Sequence, residues 1–154
     1  MAVRPPMIAV CGGGKTDPRT AALAEAVGRD LAAAGAVVVC GGLGGVMEAA
    51  CRGAKQRGGI TVGIVPGTRT DAANAYVDIP IASGMADGRN AVIVHTADGV
   101  IALPGKFGTL SEIALALKMG KPVVSVGGWA PDPSVRNVDN AEDAVTAILR
   151  AVRT

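Results

Sequence analysis

Apolar residues along this chain fall in short solid runs, not in the apolar–polar alternation of a half-exposed sheet. MIAVC at 7–11, AVVVC at 36–40, ITVGIVP at 60–66, GVIALP at 99–104 and PVVSV at 122–126 each read as a strand buried on both faces. Between them the apolar positions switch to helical spacing: Leu23, Val27 and Leu31 within 18–34, then 46–57, 85–94, 109–119 and an amphipathic helix at 140–152. YVDIPI at 76–81 is a further extended piece that its proline makes a poor central strand. Residues 67–75 read as a polar turn and 127–137, with two prolines, as a loop.

Strands alternating with helices predict βαβ units, hence an α/β fold with a parallel sheet and helices on both faces. The 154 residues suit a single domain over 1–154. Hydrophobic residues make up 49% of the chain and aromatic ones 2%, so the core has to be aliphatic.

Many of the 22 glycines gather where strands end: CGGGKTD at 11–17, CGGLGGVMEA at 40–49 and PGKFGTLSE at 104–112. Each turn opens a predicted helix, and in open α/β sheets ligands sit at the carboxyl ends of the strands. Backbone amides at such turns bind anions. The candidate phosphate or nucleotide contacts are therefore Gly12 and Gly13, then Gly41, Gly42, Gly44 and Gly45, then Gly105, Lys106, Phe107, Gly108 and Thr109. Neither of the first two loops is a Walker motif.

Two residues stand out for chemistry. Thr109 and Glu112 have the spacing of a capping box, which would make them a plain helix start. The alternative puts Glu112 beside the sugar of a bound ligand as a catalytic carboxylate. Arg89 opens a predicted helix just before the strand that delivers PGKFGT, from where it could pair with Glu112 and hold it ionised.

Charge narrows the ligand. A formal net charge of +2, with one each of Trp, Tyr and Phe, gives no basic stripe and little stacking surface, so long nucleic acid is not expected. Cys11, Cys40 and Cys51 have no metal-type spacing and read as buried free thiols in a reducing cytoplasm. His95, the only histidine, has no nucleophile elbow or second ligand beside it, so no metal site is expected. No signal-like or membrane-length apolar run appears.

Pro104, Gly105, Gly108, Thr109 and Glu112 fit a PGGxGTxxE pattern with Lys106 in place of the second glycine. Together with residues 41–47 and with GMADGRN, they make the chain resemble the Lonely Guy-type family, labelled "possible lysine decarboxylase". Within that family it is most similar to the branch containing the molybdenum cofactor carrier proteins. The resemblance implies a Rossmann-like fold and a homodimer or larger homo-oligomer. It also implies hydrolysis of the N-glycosidic bond of a nucleoside 5′-monophosphate, without a required cofactor, by Arg89 and Glu112. Asn90 stands where the hydrolases would have lysine, which favours the alternative, a non-catalytic carrier of molybdenum cofactor or another nucleotide-like ligand. True lysine decarboxylation is not expected, because no lysine sits in a Schiff-base setting. The expectation from sequence is thus a hydrolase first and a carrier second.

Overall fold

A computed structural model of the chain describes residues 3–153. Seven parallel strands form one sheet in the order β4-β3-β2-β1-β5-β6-β7. The strands are β1 (Met7–Cys11), β2 (Val37–Cys40), β3 (Thr61–Val65), β4 (Ile79–Ala82), β5 (Gly99–Ala102), β6 (Val123–Val126) and β7 (Arg136–Val138). The helices are α1 (Pro18–Ala33), α2 (Val46–Gln56), α3 (Arg89–Thr96), α4 (Phe107–Lys118) and α5 (Ala141–Val152). This is the α/β architecture with a parallel sheet that the solid apolar runs predict, and the Rossmann-like fold that the resemblance implies.

Two aliphatic layers sandwich the sheet. Ile8, Val10, Val38 and Ile101 pack beneath α1, α2 and α5, while Ala9, Val39, Ile64 and Val100 pack beneath α3 and α4. Small residues let α1 and α2 meet backbone to backbone. A Cβ added at Gly28 would stand 1.9 Å from the Ala50 carbonyl, and one at Gly53 equally close to that of Glu25. That contact brings the loops before both helices to the same sheet edge.

The strand order reverses at β1, which pairs with β2 on one side and β5 on the other. Here consecutive connections diverge to opposite sides of the sheet and leave a crevice at the carboxyl ends of the strands. The loops after β1 and β5 flank it and are joined where the Gly13 amide donates to the Pro104 carbonyl at 3.0 Å.

Pro80 lies in β4, the edge strand opposite β7, where a missing N–H is tolerated, in keeping with the reading of that piece as extended but not central. Local readings differ in three places. Residues 136–138 form a strand, not loop: β7 pairs only with β6, at the sheet edge, and its exposed Arg-Asn leaves no apolar run to read. The 85–94 helix splits into a 3₁₀ turn at Ala86–Gly88 followed by α3, with Ala86 at φ +50°. Finally, α4 begins at Phe107 instead of residue 109, which overturns the capping box. Its N-cap is Lys106, Thr109 is its third residue, and no side chain caps it.

Cys11, Cys40 and Cys51 are buried free thiols. Among the described residues, no helix is long and apolar enough to cross a membrane.

Candidate functional site

An open cleft of about 1110 Å³ lies over the β1–β5 crevice. Its walls come from the loops after β1 and β5, from the start of α3 and from the first turns of α4.

The β5–α4 wall is built to receive an anion. Among the described residues, no protein group accepts from the backbone amides of residues 105–109, and α4 lacks a side-chain cap. Unpaired amides at the start of a twelve-residue helix carry the positive end of its dipole. Thr109 is only 3% exposed and lines the cleft. Among the described residues the fully buried side-chain polar atom without a partner is the Ser125 hydroxyl, not that of Thr109; the Thr109 hydroxyl, at the cleft wall beside the free amides, is open to a ligand's polar group.

Lys106 and Lys15 also line this end of the cleft. Lys106 has φ −105°, outside the left-handed region that favours glycine.

Arg89 and Glu112 also line the cleft, Glu112 one turn beyond Thr109 on α4. Arg89 is braced from below, its Nη1 donating to the carbonyls of Gly41 and of Ile64, the latter at 3.0 Å. That grip needs bare backbone at residue 41, because a Cβ on Gly41 would meet the guanidinium at 2.1 Å.

Arg89 forms no salt bridge with Glu112, against the expected pairing. Burial pushes the Glu112 carboxyl up to about 7, and the attraction of Arg89 only partly offsets it. Glu112 is therefore a carboxyl able to give or take a proton near neutrality, not a permanently ionised partner. It also lies over Cys11, whose thiol is raised chiefly by burial and further by the Glu112 charge.

The cleft gathers Gly12, Gly13, Gly105, Lys106, Gly108 and Thr109 together with Arg89 and Glu112. It does not gather Gly41, Gly42, Gly44, Gly45 or Phe107. The β2–α2 glycines serve backbone packing: the Val46 amide donates to the Gly13 carbonyl, and the Asn74 amide to that of Gly42. Leu43 and Met47 are what that loop shows the cleft. Phe107 lies outside on the rim, 78% exposed.

Sequence reading left out Thr16, Thr20 and Asp87, which line the cleft together with Asn90. The rule that sites lie at the strand-order switch, applied to the whole GGGKT loop, points to Thr16 and to Lys15. Asp17, at the same wall, is the N-cap of α1: its carboxylate accepts from the Thr20 amide at 2.7 Å, which holds it below the usual range. The buried Asn90 amide donates to Ser111 of α4 at 3.2 Å. His95 is exposed in the last turn of α3. Among the described residues, no group of three His, Cys, Asp or Glu side chains is placed to hold a metal ion.

Residues 5–152 match the model of the SLOG cluster4 family. The chain belongs to that family. An uncharacterized protein of Archaeoglobus fulgidus is 44% identical over 138 residues, covering 90% of this chain and 91% of its own. The molybdenum cofactor binding protein of the phototrophic bacterium Rippkaea orientalis is 34% identical and superposes with a TM-score of 0.90, covering 99% of this chain and all of that one. The molybdenum cofactor carrier protein of Chlamydomonas reinhardtii is 31% identical, with a TM-score of 0.88 over 98% of this chain and all of that one. These matches agree with the resemblance to the Lonely Guy-type family and its carrier branch. DNA processing protein A of Helicobacter pylori, at 21% identity and a TM-score of 0.73, shares the fold alone.

Proposed function

We propose that this member of the SLOG cluster4 family is a binding or carrier protein for a small phosphorylated ligand of the molybdenum cofactor type. The observation that carries the reading is the cradle of unpaired amides at residues 105–109, with Thr109 lining the cleft beside it, in a chain similar over its full length to molybdenum cofactor binding and carrier proteins. The amides and Lys106 would take the phosphoryl group. The rest of the open cleft, toward Arg89 and Glu112, would take the ring system.

What the residues do favours holding over turnover. Arg89 spends Nη1 on two backbone carbonyls, forms no ion pair with Glu112, and is followed by Asn90, whose amide bonds to α4. A ligand in so open a cleft can be released to another protein without large rearrangement.

One observation favours the hydrolase as a second reading. Glu112 near pKa 7 is tuned as a general acid–base should be, and it shares the cleft with Arg89. In that reading Glu112 orients water against the sugar of a nucleoside 5′-monophosphate while the amide cradle holds the phosphate.

The deciding experiment incubates the protein with molybdenum cofactor freed from a molybdoenzyme, separates bound from free by gel filtration, and assays molybdenum in the protein fraction. A parallel incubation with nucleoside 5′-monophosphates is analysed for free base. Retained molybdenum without base release is the expected result. Base release that stops in Glu112→Gln would replace the carrier with the hydrolase.

A further inference from the structure

The anion wall is held from behind by a residue of a different loop. Trp129 lies just after β6, and its indole N–H donates to two successive carbonyls, Gly105 at 3.0 Å and Lys106 at 3.2 Å. The Lys106 carbonyl also accepts the Leu110 amide at 3.1 Å, within the first turn of α4. The indole additionally contacts the Phe107 ring, with centroids 6.5 Å apart and planes tilted by 31°.

In a trans peptide the C=O and N–H of one unit point in opposite directions. A carbonyl of Gly105 aimed at Trp129 therefore turns the Lys106 amide away from it. The Lys106 carbonyl is held by the Leu110 amide as well as by the indole, so the Phe107 amide takes its orientation from α4 itself. Trp129 does not itself line the cleft, whereas Gly105 and Lys106 do.

We infer that Trp129 is a positioning residue for anion recognition: by fixing the Gly105 carbonyl outward, its indole N–H keeps the Lys106 amide pointed into the cleft. This rests on the reading of residues 105–109 as a phosphoryl cradle. Glycine at 105 leaves that peptide unit free to rotate, so without an external hold the Lys106 amide would sample other orientations. The amide does not change identity when Trp129 is altered; only its aim does. Pre-set donors bind better than donors ordered at the moment of binding.

The test compares the full chain with Trp129→Phe, which keeps an aromatic ring against Phe107 and removes the N–H. Binding of inorganic pyrophosphate is measured by calorimetry, and backbone amide signals are followed by ¹⁵N NMR during the same titration. The expected result is about fivefold weaker binding, the effect of one hydrogen bond. The Lys106 amide signal should respond to pyrophosphate in the wild type and lose most of that response in the variant. Those of Gly14 and Lys15 should respond in both. Equal affinity with an unchanged Lys106 response would overturn the role of Trp129 while leaving the cradle intact. A wild type whose residue 105–109 signals ignore pyrophosphate would overturn the cradle, and this inference with it.

Discussion

The hydroxyl of Thr109 lies against the α-carbon of Gly105, so close that a Cβ added at residue 105 would stand 2.1 Å from Oγ1. The same Cβ would come within 2.9 Å of the Gly13 amide nitrogen. Gly105 thus joins the β5 loop, the α4 start and the β1 loop at one point.

Gly105→Ala should separate them. The expected outcome is loss of anion binding by more than about tenfold, with overpacking that costs about 1–3 kcal/mol of stability. Calorimetry with pyrophosphate and urea unfolding measure the two effects. A variant that binds like the wild type would mean that the loop gives way without disturbing the cradle.

Glu112 sets a pH dependence whose sign follows from its raised pKa. The folded protein holds this proton up to about pH 7, whereas an ordinary glutamate releases it near 4.5. Between those values the folded state binds more protons than the unfolded state, so this group makes stability fall as pH rises. Glu112→Gln should therefore gain stability over the wild type at pH 8, by at most about 3 kcal/mol, and little at pH 4. Urea unfolding at both pH values checks it, and a pH-independent difference would contradict it. Sulfate, which does not titrate in this range, should bind the wild type more weakly above pH 7 than below, and Glu112→Gln about equally at both.

Arg89 carries structural weight that a purely catalytic arginine would not. Arg89→Ala strips the buried Gly41 and Ile64 carbonyls of their donor. A loss of about 2–3 kcal/mol in urea unfolding is the expected outcome. Unchanged stability would show that water replaces the guanidinium there at no cost.

Lys106→Gly restores the glycine of the PGGxGTxxE pattern. Residue 106 has negative φ, so no left-handed backbone demands glycine there, and the change removes one cation from the cleft. Pyrophosphate affinity should drop by about threefold to tenfold at low salt, and the difference should shrink as salt is raised. Tighter binding by the glycine variant would mean that Lys106 obstructs the cleft.

The sheet was legible in the sequence because both its faces are buried: solid runs such as AVVVC have no other comfortable home, and the glycine turns mark where they end. The edges were harder. Arg136–Val138 is too short and too exposed to announce itself, and its pairing with β6 is a tertiary fact. PGKFGTLSE invited a capping box because Thr109 and Glu112 have the spacing, but the helix start is set by backbone geometry two residues earlier. The glycines at 41–45 looked like a phosphate loop by number alone; the contacts that use them, to Arg89 and to the β1 loop, come from far along the chain. Arg89 and Glu112 were found together only as far as the cleft. Their missing salt bridge depends on Arg89 turning to two carbonyls, which no local pattern encodes.

Trp129 is the only tryptophan in the chain, and it is hydrogen-bonded to the very loop that forms the anion wall. Its emission is therefore an optical signal from a single place. Occupation of the cradle, the tilt of the Phe107 ring and the seating of the indole N–H all alter the polarity around that one fluorophore. The protein arrives with a label already built into its rim, so ligands can be screened by light on the unmodified chain.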